Sequence, residues 1–358
     1  MIQTIAEQRL RNQSLVPARH RTAAAVVAWL GAVQAQEYEP AKWGLGLRMA
    51  GDAVDASVER ALEEGRILRT HVMRPTWHFV TPADIRWMLE LTGPRVQRVM
   101  APYNRHLELD AATMTRGTKI IERALGDRQY LTRTELGERL QRAGLAMAGM
   151  RLAHLAMHAE QEGVICSGPR RGKKSTYALI AERAPGAQRL SRDESIAKLT
   201  LRFFKSHGPA TVRDFVWWSG LPTADAKRGL EMIKARREEV DGQIYWTAGP
   251  TLPSMPRPPL AHLLPIYDEY VVAYRDRGPV PHGPLGITPA AGGFVTFQHA
   301  VVIAGRIAGT WRLTRSAKGI ALAATLLRPV KRGERTALAE AARRYEGFVG
   351  VPVSLSVG

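Results

Sequence analysis

The sequence predicts an α+β protein in which one plan, two or three helices followed by two short strands, occurs three times in about the first 250 residues. Three observations support this prediction. Apolar residues recur at helical spacing, tight turns separate the strand-like pairs, and alternating apolar runs take over after Pro250. A helix-turn-helix with an appended hairpin is a winged helix. We therefore predict three tandem winged-helix units and a β-rich, barrel-like C-terminal domain.

The first unit, residues 1–95, is predicted to contain three helices and a hairpin. The predicted bounds are 21–33, 40–49 and 53–63 for the helices, and 67–72 and 76–80 for the strands. The hairpin turns at Met73-Arg74-Pro75, where proline fixes the backbone.

The second unit, residues 96–190, carries the clearest signals. Thr132 and Glu135 have the spacing of a capping box and open a helix that ends near Arg142. The predicted bounds of the other elements are 147–163 for a second helix, and 164–166 and 177–180 for two strands. The loop between these strands contains four cations and no anion: Arg170, Arg171, Lys173 and Lys174. We predict that this wing contacts DNA; the alternative is a solvated hairpin tip whose charge prevents edge pairing.

The third unit covers residues 191–250. Thr211 and Asp214 cap a short helix, a second helix is predicted over residues 223–237, and Asp241-Gly242 is a hairpin-turn signal.

In the C-terminal domain, residues 251–358, the predictions are a proline linker (Pro253, Pro256, Pro258 and Pro259), apolar runs at 260–274, 293–305 and 306–315, a helix at 336–345 and a strand at 351–357.

Composition restricts the function. The 358 residues include 51 Lys+Arg and 33 Asp+Glu, a formal charge of +18, and only 10 of the basic residues are Lys. Arginine binds phosphate and stacks on bases, so nucleic acid is the leading partner; the alternative is a genomic bias towards Arg on a solubilising surface. A single cysteine, Cys166, excludes a disulfide scaffold. No apolar run has the length of a membrane span and the N-terminus lacks a signal-peptide pattern, so we expect a cytoplasmic, nucleoid-associated protein.

Most catalytic signatures are missing from the sequence. One cysteine cannot build a zinc cluster, and His154 and His158 lack the glutamate spacing of a metallopeptidase helix. We expect no metal, no nucleotide cofactor and no nucleophilic serine. The polar segment Gln34-Ala35-Gln36 is the exception. We predict that it ends the first helix, where both amides point into one cavity; the alternative is a simple helix-end cap.

Several motifs together carry a resemblance. They are Leu10-Arg11-Asn12-Gln13-Ser14-Leu15, Gln34-Ala35-Gln36, residues 73–80, Gly208-Pro209-Ala210-Thr211 with Asp214-Phe215 and Trp217, Leu263-Leu264-Pro265 with Tyr267-Asp268-Glu269-Tyr270, Arg275-Asp276-Arg277, and Gly305-Arg306 with Gly309-Thr310-Trp311. With these motifs in this order, the chain resembles the winged-helix-repeat family that includes AlkZ- and YcaQ-type DNA glycosylases. The resemblance implies a C-shaped molecule around a basic channel, excision of alkylated purines and, in some members, unhooking of interstrand crosslinks. It also implies that Gln34 and Gln36 are catalytic.

Two glutamines could catalyse the hydrolysis of an N-glycosidic bond that already breaks readily. An amide is not a useful base near neutral pH, but it can hold a water by donor and acceptor contacts and aim it at the anomeric carbon. A purine alkylated on its imidazole nitrogen is a cationic leaving group, so positioning could suffice. We therefore expect a monofunctional DNA glycosylase that acts as a monomer on double-stranded DNA.

Further residues are predicted to serve this site. Tyr38, Trp43, Trp77 and His78 are the candidates that line the substrate pocket, and Arg69 and Arg74 are candidate phosphate clamps. For Tyr267, Asp268 and Arg275 we predict only that they brace the C-terminal domain against the helices. The alternative function is a non-catalytic winged-helix DNA-binding protein, a regulator or lesion sensor, which would need neither glutamine.

Overall fold

The computed structural model describes residues 2–249, 260–275 and 297–358. The helices are α1 (Ile2–Asn12), α2 (Ala23–Leu30), α3 (Tyr38–Gly46), α4 (Asp55–Glu63), α5 (Ile85–His106), α6 (Ala111–Ala124), α7 (Arg133–Arg142), α8 (Gly149–Gln161), α9 (Ile180–Arg183), α10 (Arg192–Ser206), α11 (Val212–Ser219), α12 (Thr223–Met232), α13 (Glu269–Val272) and α14 (Arg332–Val349). The strands are β1 (Val33–Gln34), β2 (Leu68–Thr70), β3 (His78–Val80), β4 (Leu131–Thr132), β5 (Ile165–Ser167), β6 (Thr176–Leu179), β7 (Arg236–Val240), β8 (Gln243–Thr247), β9 (Ala261–Leu264), β10 (Ala300–Ile303), β11 (Arg306–Ser316), β12 (Gly319–Leu326) and β13 (Val353–Val357). The predicted proline linker, residues 293–296 of a predicted strand, and Asp276 and Arg277 lie outside the described residues.

Two small sheets follow the predicted hairpins and extend them. In the first, β1 joins the predicted pair to give the order β1-β3-β2, with Gln34 opposite His78 and Thr70 on the other side of His78. In the second, β4 joins to give β4-β6-β5. The predicted capping box is confirmed: the Glu135 amide donates to the Thr132 hydroxyl and the Glu135 carboxylate accepts from the Thr132 amide. In both sheets, the strand added to the hairpin comes from an earlier part of the chain.

One boundary in the third predicted unit is wrong. The helix predicted to reach residue 237 ends at Met232, because Lys234 adopts a left-handed φ of 50° and the chain then enters β7. The hairpin turn is confirmed, since Asp241 and Gly242 both have positive φ, 51° and 76°. This is the conformation that a type I′ turn requires.

The C-terminal region corrects two predictions. The described strands form one open five-stranded sheet in the order β13-β12-β11-β10-β9, with β13 parallel to β12, so the expectation of a barrel-like domain is wrong for this part of the chain. The apolar run at 260–274 is not one strand either. It begins as β9, turns at Tyr267, whose φ is 62°, and ends in the short helix α13. Asp268 caps this helix by accepting from the Tyr270 amide at 2.9 Å.

The N-terminal helices share one hydrophobic core with the C-terminal sheet. Trp43 of α3 packs edge-on against Tyr345 of α14 and also contacts Phe348, at ring-centroid distances of 5.1 Å. A Cβ at Gly46 would lie 2.6 Å from the Phe348 ring, so glycine is needed for this close approach. Separate apolar clusters surround Trp218 and Leu155. The division into three winged-helix units stays a prediction.

A buried histidine in this core predicts acid sensitivity. The pKa of His262 falls to about 4 because the side chain is buried and lies near the Arg344 guanidinium. The unfolded chain has an ordinary histidine pKa near 6.5. Below pH 6.5 the unfolded state therefore binds a proton that the folded state does not, until the pH reaches about 4. Between pH 7.5 and pH 5 this histidine should lower the free energy of unfolding by about 2 kcal/mol.

Urea unfolding at the two pH values measures this effect. His262→Gln should make the difference between the two pH values smaller, whatever it does to stability at pH 7.5. A difference as large as that of the wild type would contradict the prediction.

Within the described ranges, no helix combines the length and apolar character needed to cross a membrane.

Candidate active site

The Gln-Ala-Gln segment lies on an extended chain rather than at a helix end. Helix α2 ends at Leu30, and Gly31, with a φ of 89°, turns the chain into β1. Gln34 pairs with His78 in the sheet, and the Ala35 amide donates to the Trp77 carbonyl at 2.7 Å. The prediction of a helix end is therefore corrected. Both glutamine side chains accept a hydrogen bond from the segment that joins β2 and β3, so the two can serve one site.

The Gln34 amide is buried and fixed in orientation. Its Oε1 accepts a hydrogen bond from Arg74 Nη2 at 2.6 Å, and the side chain is 5% exposed. A charge-assisted bond of this length determines which end of the amide faces Arg74. The Nε2 group is left to donate, and Oε1 keeps a second lone pair. Burial lowers the pKa of Arg74, and the nearby carboxylate of Glu269 opposes that shift.

The side-chain carbonyl of Gln36 also accepts a hydrogen bond, but this residue faces solvent. Its Oε1 accepts from the Trp77 amide at 3.2 Å. The residue is exposed, unlike Gln34. Both glutamine carbonyls are thus engaged by protein donors from the β2–β3 hairpin. Each side chain retains two N–H donors and one acceptor position, which is the set needed to orient a water.

Arg69 and Arg74, the predicted phosphate clamps, both contact the Gln-Ala-Gln segment. Arg69 donates from Nε to the Ala35 carbonyl at 3.0 Å and from Nη2 to the Gln36 carbonyl at 3.2 Å. Its guanidinium lies 4.3 Å from the centroid of the Trp77 ring. The two arginines therefore support the backbone of the segment and the Gln34 side chain, and contact with phosphate stays a prediction for both.

The structure brings two of the predicted pocket residues together and separates the others. Tyr38 and Trp77 are half-buried and line a cavity of about 50 Å³, together with Arg69 and Arg170. This volume accommodates a few waters and no nucleobase. Tyr38 donates its hydroxyl hydrogen to Glu59 at 2.9 Å, and burial raises the pKa of Tyr38 well above its usual value.

Trp43 and His78 are placed differently from the prediction. Trp43 is 3% exposed and donates from Nε1 to the Leu263 carbonyl at 2.7 Å, so it is mainly a core residue whose edge reaches a larger cavity of about 530 Å³. His78 has no exposed surface, and its Nδ1 bonds to the Thr76 carbonyl. Burial and the nearby Arg74 hold the pKa of His78 well below its usual value. The prediction that His78 lines a substrate pocket is corrected, because a substrate has no access to it here.

The four cations of the wing are not equivalent. Arg170 bonds to Glu39 at 3.2 Å and lies 4.4 Å from the centroid of the Tyr38 ring, so it holds this loop against α3. Arg171 pairs with Glu135. Lys173 and Lys174 are exposed, and in the part of the chain that the structure describes neither forms an ion pair. These two lysines leave the wing with free positive charge.

Sequence reasoning missed two acidic residues that support the site. Glu269 accepts from the Gln34 backbone amide at 2.7 Å and from Trp218 Nε1 at 2.9 Å. Glu269 and Gln34 are 235 residues apart in the sequence. Glu160 is fully buried against His71, whose ring centroid lies 4.0 Å from that of Trp77, and burial raises the pKa of Glu160. The motif around Tyr267 contained the signal for Glu269. Nothing local to Glu160 marks it as buried.

The predicted bracing role is confirmed for Asp268. Its two carboxylate oxygens accept from Arg48 Nη1 at 2.8 Å and Nη2 at 2.9 Å. Arg48 Nη2 also donates to Gln13 Oε1 at 2.8 Å, so α1, the end of α3 and the segment before α13 meet at one buried guanidinium.

Comparisons with known proteins agree with the resemblance. The interstrand DNA cross-link repair glycosylase of Streptomyces sahachiroi is 26% identical to this chain over 334 aligned residues, and the alignment covers 85% of this chain and 86% of the relative. The solved structure of the DNA glycosylase AlkZ from the same organism has a TM-score of 0.80 and 23% identity, with 99% of both chains covered, and this likeness shows the fold. The family model described as "DNA glycosylase AlkZ-like" matches residues 27–348. The chain therefore belongs to the AlkZ-like DNA glycosylase family.

Proposed function

We propose that this protein is a monofunctional DNA glycosylase that hydrolyses the N-glycosidic bond of alkylated, cationic purines in double-stranded DNA, interstrand crosslinks included. The observation that carries the proposal is the pair of glutamines whose carbonyl oxygens are held by Arg74 at 2.6 Å and by the Trp77 amide at 3.2 Å. The name of the Streptomyces relative supports the crosslink as a substrate class. The helix-then-hairpin order supports winged-helix units at 1–95, 96–190 and 191–250.

The chemistry follows from the substrate's charge. The bond between the anomeric carbon and the purine nitrogen breaks, and its electron pair neutralises the cationic base. A water oriented by Gln34 and Gln36 then forms the new carbon–oxygen bond and releases its proton to solvent. Fixed amides act through position, since their polar atoms are already oriented before the sugar becomes cationic.

Lys42 supports a monofunctional rather than an amine-dependent reaction. It is 2% exposed and bonds to Glu59 at 2.7 Å and to Asp55 and Glu39 at 2.9 Å. Burial acts to lower the pKa of Lys42, but the hydrogen bonds to the three carboxylates outweigh it and raise the pKa. A buried, protonated ammonium is not a nucleophile for a covalent intermediate.

Base release from duplex DNA tests the proposal. We expect the wild type to release N-methylated guanine and to leave strand breaks only after alkali, while uracil is released at least about 100-fold more slowly because it leaves as an anion rather than as a neutral base. A break without alkali would overturn the monofunctional assignment, and comparable uracil release would overturn the mechanism. Absence of release from both N-methylated and crosslinked duplexes, with DNA binding retained, would favour a regulator or lesion sensor.

A further inference from the structure

An arginine-lined cleft lies beside the candidate active site and shares Arg74 with it. It has a volume of about 670 Å³ and lies between the β2–β3 turn, α5 and α11. Its lining includes Arg74, Arg95, Arg213 and Arg275, and no carboxylate of the described chain lines it. We call this feature the arginine cleft.

Arg74 lies near the Glu269 carboxylate, which offsets part of its charge, but two other arginines of the cleft have no such partner in the described part of the chain. Several exposed arginines elsewhere pair with acids, as Arg192 does with Asp225 and Arg228 with Asp193. Arg95 and Arg213 are exposed, and among the residues that the structure describes neither forms an ion pair. Like charges that share one cleft repel each other, and a bound anion removes that cost.

An aromatic ring preorganises part of this cleft. Trp217 donates from Nε1 to the Val272 carbonyl at 2.8 Å, which fixes its ring in the cleft wall. The guanidinium carbons of Arg74 and Arg275 lie 5.7 and 5.9 Å from the ring centroid. Two guanidinium groups are thus held against one ring, and their planar forks match the geometry of a phosphate.

Arg74 connects the arginine cleft to the Gln-Ala-Gln segment. Its Nη2 donates to Gln34 Oε1, while its Nε is buried and has no hydrogen-bond partner among the described atoms. A buried N–H without an acceptor is costly, and an anion in the cleft could supply the acceptor. The predicted DNA wing lies at the other end of the segment, where Arg170 covers Tyr38.

We infer that the arginine cleft binds a backbone phosphate of the DNA strand that presents its damaged nucleotide to Gln34 and Gln36. This inference rests on the proposed function for its partner, DNA, and adds to it a phosphodiester site formed by Arg95, Arg213 and Arg275 around Trp217. Arg74 contacts both the phosphate and Gln34, so it is a positioning residue as well as a phosphate ligand.

The salt dependence of binding to undamaged duplex DNA tests the site. The variant Arg95→Gln with Arg213→Gln should make the slope of log K against log salt shallower by about 0.9 for each phosphate that the variant no longer binds. The matched control, Arg332→Gln with Arg335→Gln on α14, removes the same charge from exposed positions and should keep the wild-type slope. An unchanged slope in the cleft variant, or an equal decrease in the control, would overturn the inference.

Two further measurements separate the outcomes. At saturating protein, the single-turnover rate of base release should decrease more in Arg74→Gln than in the Arg95/Arg213 variant, because of these arginines only Arg74 bonds to the Gln34 side chain, and the Arg332/Arg335 control should keep the wild-type rate. If the wild type releases no base, the salt slopes still test the cleft. Inorganic phosphate is the second measurement. If it raises the melting temperature of the wild type but not of the Arg95/Arg213 variant, while both proteins show the same salt slope for DNA binding, the cleft binds free anions and the inference fails.

Discussion

Replacing both glutamines, Gln34→Ala with Gln36→Ala, should decrease the rate of base release from N-methylated duplex DNA by at least about 100-fold, the scale of removing preorganised polar groups from a reacting centre. The reason is geometric. The carbonyls of the two residues are already held by Arg74 and the Trp77 amide, so each amide presents fixed polar atoms to a water. Alanine leaves Arg74 and the backbone in place but removes both side-chain amides that orient that water.

DNA affinity should be almost unaffected by the same change, because neither glutamine carries charge and phosphate contacts dominate binding. Single-turnover rates and duplex dissociation constants, measured in one buffer, separate the two quantities. Gln141→Ala, an exposed glutamine on α7, is the matched control and should retain the wild-type rate. A double variant that releases base as fast as the wild type would place the active site elsewhere.

The largest loss of stability should come from Asp268→Ala, at about 3–5 kcal/mol of unfolding free energy. Both side chains of the Arg48–Asp268 pair are 1% exposed, and the carboxylate accepts two bonds from one guanidinium. Without Asp268 the buried guanidinium keeps only uncharged acceptors, from Gln13 and the Gly44 carbonyl. The α13 cap to the Tyr270 amide disappears as well.

Urea unfolding at pH 7.5 measures this loss. Asp52→Ala removes an exposed carboxylate instead and should change stability by less than about 0.5 kcal/mol. The double variant Arg48→Met with Asp268→Leu removes both charges, so it should recover part of the loss. A decrease below about 1 kcal/mol for Asp268→Ala would show that water reaches the guanidinium and that the pair does not hold the segments together.

Several elements could be predicted from the sequence because their determinants are local. The Thr132 and Glu135 capping box closes within four residues, and the positive φ angles of Asp241-Gly242 suit those two residue types. Helix α2 ends at Leu30, before the predicted bound at residue 33, and Gly31 is the local signal for this end. Helix α12 ends at Met232, before the predicted bound at residue 237, because a left-handed Lys234 has no signal in composition.

The sequence alone is enough to identify candidates for the chemistry. It identified the two amides of Gln34 and Gln36, the basic wing and the motif that contains Asp268 and Glu269. The contacts of these residues are set by packing between distant elements: Arg74 bonds to the Gln34 side chain, and Glu269 bonds to the Gln34 backbone amide although the two are 235 residues apart. The same packing places His78 in the interior. Caps and turns depend on neighbours a few residues away, whereas burial and the choice of a distant partner depend on how separate elements pack against each other.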